Sequence, residues 1–327
     1  MKISRVPLAH LPTRIEFLPR LSDSLGGPQL FCKRDDQTGL GFGGNKTRKL
    51  EFLLGEALAQ NAKTLISVGA IQSNHCRQTA ALAARFGLDC ILVLSGSEPE
   101  NASGNLFLDN LFGAEVVWTT RENRDQVLEE TINKAREMGR APYKIPYGGS
   151  SPVGMMGYVN AMKELREDED REGVNFDWIV TASSSGGTQA GMILGALTFL
   201  FRGKILGIAI EGTTAELKEN ISTLVRDCAQ LNKQTVNFSE DLVIVDDHYT
   251  GGGYGVMGEP EIEAIRLFAS LEGLLLDPVY TGRAAAGMID LIRKGFFRKD
   301  ETILFWHTGG QPALFADKYS QAIVGKQ

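Results

Sequence analysis

The stretch KRDDQTGLGFGGNKTRK, Lys33 to Lys49, decides how the chain is to be read. Within it, Gly39–Gly44 matches G-x-G-x-x-G by letter, the signature of a dinucleotide-binding βαβ unit. Two features exclude that unit. Polar Arg34–Thr38 separates the glycines from the apolar strand before them, and the next strand, Thr64–Val68, ends in glycine where a ribose-binding acid would stand. A phosphate-binding P-loop fails as well, because Asn45 stands between Gly44 and Lys46. What is left is a glycine turn and a lysine at the start of a helix predicted over Lys46–Leu58. A helix N-terminus disfavours a cation, and Lys49 and Arg48 stand close, so a desolvated Lys46 should have a lowered pKa. The neutral amine is the form that attacks carbonyls. Spacing alone leaves a second reading open: an exposed lysine at a helix start.

Outward from this segment, short β-branched runs alternate with helical patterns. Thr64–Val68, Cys90–Leu94, Glu115–Thr119, Trp178–Ala182, Lys204–Ile210, Leu242–Val245 and Thr302–Trp306 read as strands. Helices are predicted through Thr79–Phe86 and near Gly104–Leu111, Asp125–Glu137, Met155–Glu167, Thr188–Phe201, Glu216–Leu231, Glu259–Ser270 and Gly282–Lys294. Such alternation predicts an α/β fold with mainly parallel sheets. In open α/β sheets ligands sit beyond the strand C-termini. Here three strand ends run into polar turns, Gly69–His75, Ser183–Thr188 and His307–Gly310, which points to one shared pocket. The charge run Glu167–Glu172 reads as a solvated helix end.

Ser183–Thr188 follows a strand and opens an apolar helix. Its glycines let backbone N–H groups approach an anion, and Ser185 and Thr188 add hydroxyl donors. This context favours a phosphate cradle over a turn kept only for packing. The histidines are weighed otherwise: His75 and His307 read as turn caps or packing groups, His10 as peripheral, and His248 beside Asp246 and Asp247 as a solvated loop residue. Cys76 reads as a buried inert thiol. Phe296-Phe297 looks like an exposed pair at a helix end, serving the core or a subunit contact.

Bulk properties set limits. A chain of 327 residues exceeds what one compact core usually holds, so two lobes are expected. A formal net charge of −6 and a pI near 5.4 give no nucleic-acid footprint. The four cysteines are scattered without a C-x-x-C pair, which argues against zinc or a disulfide framework and for reduced thiols in the cytoplasm. No metal site is expected. Met1–Arg14 has no apolar core of a signal peptide, and the longest apolar run, Ala190–Phe201, is too short to span a membrane.

Five blocks stand in order: GGNKTRKLE (Gly43–Glu51), VGAIQSNH (Val68–His75), SSGGTQAG (Ser184–Gly191), LDPVYTG (Leu276–Gly282) and HTGG (His307–Gly310). Together they resemble the pyridoxal-phosphate (PLP) dependent 1-aminocyclopropane-1-carboxylate (ACC) deaminase / D-cysteine desulfhydrase family, of fold type II (tryptophan synthase β-like). The resemblance spans about Pro7 to Phe315. It implies a two-lobed α/β enzyme of open, mainly parallel twisted sheets flanked by helices. The larger lobe would be 1–49 with 148–327, the smaller 50–147, and PLP would lie in the cleft between them. It implies Lys46 as the Schiff-base lysine and proton-transfer base, with Ser73 and Tyr280 as further catalytic groups. Asn74 would bond the cofactor's phenolic oxygen, Lys49 with Ser185, Gly186, Gly187 and Thr188 would hold the phosphate, and Thr308 would face the pyridine nitrogen. Gln72, Ser73, Tyr254, Tyr280 and Thr281 would meet a small amino-acid substrate. A homodimer is implied too.

Two positions bear on the reaction. ACC deaminases carry Glu after the second tyrosine and Leu in the block matching His307–Gly310; Thr281 and Thr308 here resemble D-cysteine desulfhydrases instead. A hydroxyl at the pyridine nitrogen leaves it unprotonated and favours prompt loss of a β-substituent. D-Cysteine cleavage to pyruvate, sulfide and ammonia is therefore the first expectation. L-Cysteate sulfo-lyase is the second, with Arg77, His75 or Thr308 as possible sulfonate partners, and ACC deaminase the third. A protein that only binds PLP, or binds a nucleotide through Ser183–Thr188, is the alternative of another class.

Overall fold

The computed structural model describes residues 4–324. Strands β1 (Ile15–Phe17), β2 (Gln29–Lys33), β7 (Trp178–Ser183), β8 (Lys204–Ala209), β9 (Ile244–Asp246) and β10 (Thr302–Trp306) form a sheet in the order β1-β2-β10-β7-β8-β9. Strands β3 (Thr64–Ala70), β4 (Asp89–Ser95), β5 (Glu115–Thr119) and β6 (Pro142–Lys144) form a second, in the order β5-β4-β3-β6. Every pairing is parallel except β1 with β2. Around them lie helices α1 (Pro19–Leu25), α2 (Asn45–Ala59), α3 (Asn74–Phe86), α4 (Gly104–Leu111), α5 (Arg124–Glu137), α6 (Pro152–Glu172), α7 (Gly187–Phe199), α8 (Thr214–Leu231), α9 (Glu259–Glu272), α10 (Thr281–Arg293) and α11 (Asp317–Val324).

Strands covered on both faces must be apolar on both. In β10, Ile303 and Phe305 pack with α1, α9 and α10, while Leu304 and Trp306 pack with α6, α7 and α8. In the smaller sheet, Leu92 and Leu94 meet α2, α3 and α4, and Ile91 and Val93 meet α5. This period of two is why these runs read as strands although they lack polar alternation.

A buried polar cluster fixes α2 against the larger sheet. The Asp35 carboxylate accepts five hydrogen bonds, from Thr13 Oγ1, Arg48 Nε and Nη2, Tyr158 OH and Trp306 Nε1. Arg48 also reaches Glu164 at 2.9 Å, and Lys33 Nζ joins Glu164 at 2.8 Å and Asp168 at 2.5 Å. The crossing of α2 and α6 is close: a Cβ at Gly157 would stand 2.3 Å from the Arg48 carbonyl oxygen.

Several expectations are corrected here. Glu167–Glu172 is not a wholly solvated end, because Asp168 and Glu169 are buried, one paired with Lys33 and the other accepting from the Phe176 N–H. The strand expected at Leu242–Val245 lies at Ile244–Asp246, after a 3-10 turn over Glu240–Leu242. Phe297 is core, packed edge-on against Trp178, and only Phe296 is half exposed. Strands β1 and β6 and helices α1 and α11 were not anticipated. β6 is three residues long and has Pro142 and Pro146 at its ends, a pattern that reads as loop. No helix among the described residues is long and apolar enough to cross a membrane.

Arg48→Ala leaves the Asp35 charge buried with fewer partners, so stability should fall by about 3–5 kcal/mol. Urea unfolding of the variant against the parent chain measures this, and a loss below about 1 kcal/mol would show the cluster to be expendable.

Candidate active site

Lys46 reaches its place through the glycine turn. Gly43 and Gly44 have φ of 68° and 124°, in the left-handed range, and a Cβ at Gly44 would meet the Gln78 side chain at 2.7 Å and the Thr308 carbonyl oxygen at 3.0 Å. The turn thus brings the Asn45 N–H onto the Thr308 carbonyl at 3.0 Å and ties the start of α2 to the end of β10. Lys46 and Lys49, one turn apart, both donate to the Gly148 carbonyl, at 3.3 and 3.1 Å. Lys46 is half-buried on the cavity wall, and desolvation there lowers its pKa to about 8. Lys49 is held well below the ordinary lysine value, by burial first and the Lys46 charge second. Arg48 plays no part in this repulsion, since Asp35 and Glu164 match its charge.

At the end of β7, Gly186 has φ of 75° and caps α7 with no side chain; the Gly187 N–H donates to Ser150 Oγ at 3.2 Å, and the Thr188 and Gln189 N–H groups behind it have no side-chain acceptor among the described residues. Ser185 Oγ lies 2.8 Å from Ser150 Oγ, and Thr188 Oγ1 accepts from Asn45 Nδ2 at 3.0 Å. At the end of β3, Ser73 caps α3 by accepting the Cys76 N–H at 3.2 Å. The hydroxyls of Tyr254 and Tyr280 are 2.8 Å apart, and burial raises both pKa values.

One cavity collects Lys46, Ser73, Asn74, Ser185, Gly186 and Thr188, together with Tyr254, Tyr280 and Thr308. Four residues expected there lie elsewhere. Thr281 is buried in the turn before α10: its hydroxyl donates to Asp277 Oδ1 at 2.8 Å and accepts the Asp277 N–H at 2.7 Å. Gln72 turns away, donating to the Ser103 carbonyl at 2.9 Å and accepting the Asn105 N–H at 2.8 Å. Lys49 reaches the β7–α7 loop only through Ser150, at 3.3 Å from its Oγ. Gly187 packs under the loop, where a Cβ would stand 2.4 Å from Ser150 Oγ. Arg77 is buried and donates to the Gly43 carbonyl and to Asn105, so of the three sulfonate partners only His75 and Thr308 line the cavity.

Of the other histidines, His307 is a packing group and His248 a solvated loop residue. His307 donates from Nε2 to the Leu275 carbonyl and accepts the Gly309 N–H on Nδ1. His248 is exposed beside Asp246. Burial drives the Cys76 thiol far up, as an inert buried thiol requires. Sequence reasoning missed Asn45, Tyr147 and Ser150. Tyr147–Ser150 is a fourth polar strand end, hidden because β6 was not recognised.

Two helix N-termini, a hydroxyl-rich loop and a lowered lysine thus converge on one cavity. The family described as Pyridoxal-phosphate dependent enzyme matches residues 6–309. The chain belongs to that family. D-Cysteine desulfhydrase of Salmonella newport (strain SL254) is 43% identical over 321 residues, 96% of each chain. A solved structure described as an ACC deaminase homologue superposes with a TM-score of 0.90 at 39% identity, covering 99% of this chain and 96% of that one. Diaminopropionate ammonia lyase of Escherichia coli shares the fold, with a TM-score of 0.66 at 17% identity over 96% of this chain and 86% of that one.

The cavity fits the family's cofactor by its own chemistry. The uncapped start of α7 with Ser185 and Thr188 suits a phosphate. Ser183 Oγ and His75 Nδ1, both on the cavity wall, are buried polar atoms without a partner among the described residues. Lys46 offers the free amine. Cofactor-free protein should therefore capture PLP at a rate rising about tenfold per pH unit below the lysine pKa of about 8, then level off. The free base forms as pH rises, so a rate falling through this range would contradict the assignment. Stopped-flow absorbance measures it, with Lys46→Ala as the silent control.

Proposed function

We propose that this chain eliminates the β-substituent of a small amino acid, with D-cysteine as the substrate and pyruvate, hydrogen sulfide and ammonia as products. The observation that carries this choice is the charge of the cavity wall. Among the described residues Lys46 is its only Lys or Arg, and His75 is kept neutral by burial first and by the Lys46 and Lys49 charges second. A sulfonate would need a further cation, and Arg77 is turned away. The relative named D-cysteine desulfhydrase supports the same reading.

PLP, when bound, supplies the electron sink that makes the α-proton removable. The chain's residues do the rest. Ser73 and the first N–H groups of α3 receive the substrate carboxylate. Lys46, as free amine, takes the α-proton, or the Ser73 and Tyr280 hydroxyls relay it, according to the hand of the substrate. The Tyr254–Tyr280 pair borders the leaving group. Asn74 would hold the cofactor at its phenolic oxygen, Thr308 at its pyridine nitrogen, and Ser185, Gly186 and Thr188 at its phosphate, with Lys49 behind Ser150. The α-proton leaves, its electron pair forms the double bond, sulfide departs, and water releases ammonia and pyruvate. The lobe division at 50–147, a homodimer and a cytoplasmic setting belong to this reading; the second sheet within 64–144 and the four buried free thiols support the first and the last.

A pyruvate-release assay on D-cysteine, L-cysteate, ACC and β-chloro-D-alanine tests the proposal. Sulfide and pyruvate should appear in equal amounts from D-cysteine. Sulfite from L-cysteate with D-cysteine inert would replace it with the sulfo-lyase, and no pyruvate from any of the four would leave a silent PLP binder.

A further inference from the structure

Behind Asn74 lies a polar chain that the reaction scheme does not use. Asn105, fully buried at the start of α4, donates from Nδ2 to the Gln72 carbonyl at 3.0 Å and to Asn74 Oδ1 at 2.9 Å, and accepts from Arg77 Nη1 at 3.3 Å. Its backbone N–H goes to Gln72 Oε1 at 2.8 Å. Carboxamides have two ends that differ only in donating or accepting, so their direction must come from partners. Here each direction is forced. Arg77 can only donate, so it must face Asn105 Oδ1; the Gln72 carbonyl can only accept, so it must face Asn105 Nδ2. The second hydrogen of that Nδ2 then falls on Asn74, which can only present Oδ1 to it. Arg77 is itself pinned by the Gly43 carbonyl at 2.8 Å, in the turn that carries Lys46. Asn74 Nδ2 is left as the free end, beside Gly310, where a Cβ would stand 2.6 Å from it.

We propose that Asn105 is a positioning residue that sets which end of the Asn74 carboxamide faces the cofactor. This rests on the reading that Asn74 donates to the cofactor's phenolic oxygen. With Asn105 in place, Asn74 presents a donor to an oxygen that bears negative charge. A carboxylate at position 105 would accept from Asn74 Nδ2 instead and turn Oδ1 toward that oxygen, replacing attraction with repulsion. Gln72 accordingly serves as a strut of this chain.

The test uses purified holoenzyme and the visible absorbance of bound PLP. The ratio of its long- to short-wavelength bands reports the ionisation of the phenolic oxygen, and titration of cofactor-free protein gives the PLP dissociation constant. Asn74→Ala should lower the ratio. Asn105→Ala should lower it less and raise the dissociation constant about threefold, and Asn105→Asp should raise it tenfold or more, at about 1.4 kcal/mol per tenfold. Within Asn74→Ala, adding Asn105→Asp should change nothing further. A merely structural role predicts the reverse order, since Asp fills the space of Asn and pairs with Arg77 whereas Ala leaves a cavity. That order would overturn the inference. So would an unchanged ratio in Asn105→Ala, which suffices if the added charge of Asn105→Asp prevents folding. If Asn74→Ala itself leaves the ratio unchanged, the reading of Asn74 fails and takes this inference with it; a shifted Asn74→Ala with an unmoved Asn105→Asp refutes the inference alone.

Discussion

The bond between Asp35 and Arg48 is the contact on which the position of α2, the helix that carries Lys46, depends. A buried carboxylate is costly unless its lone pairs are taken up. Asp35 meets that demand with donors from the N-terminal segment, α2, α6 and β10. The segments that supply those donors are thereby fixed relative to one another. Arg48 sits on α2 two residues from Lys46, and the helix points the two side chains to different sides. One side is matched by acids, so Arg48 stays charged. The other faces a carbonyl and a cavity wall, so burial lowers Lys46 toward a free amine. A single helix thereby holds one cation that must stay charged and one that must be able to lose its charge.

The same economy governs the polar groups at the strand ends. Parallel strands place their C-termini together, and the helices that follow open their N–H groups toward the same space. α3 and α7 do so from the two sheets, and the cavity lies where they meet. Groups that fail to reach it have been taken by other partners, near in sequence for Thr281 and distant for Gln72. Thr281 is held by Asp277, which also accepts the N–H groups of Val279, Tyr280 and Thr281 and so fixes where α10 begins. Gln72 is held by Ser103 and Asn105.

Legibility in the sequence followed the range of the interaction responsible. Trp178–Ala182 and Thr302–Trp306 were readable because strands buried on both faces are short apolar runs between breakers. The Ser183–Thr188 turn was readable because glycine and hydroxyl residues between a strand and a helix mark a local break. Short pieces such as Pro142–Lys144 were not, because a three-residue strand carries no period and its proline flanks read as loop. Asp168 was misread as solvated because its partner, Lys33, is 135 positions away.

The sequence alone determined the α/β class and the family, since these rest on local patterns and on five ordered motifs. It could not determine which side chains of those motifs enter the cavity. Thr281 and Thr308 are both threonines beside glycines at element ends, yet one turns into Asp277 and the other into the cavity. Only the tertiary structure separates them, because a hydroxyl goes to whichever acceptor packing brings within reach. The lowered pKa of Lys46 belongs to the same class of fact. Its place after the glycine turn can be read from the letters, but desolvation exists only once the segments around α2 have closed over it.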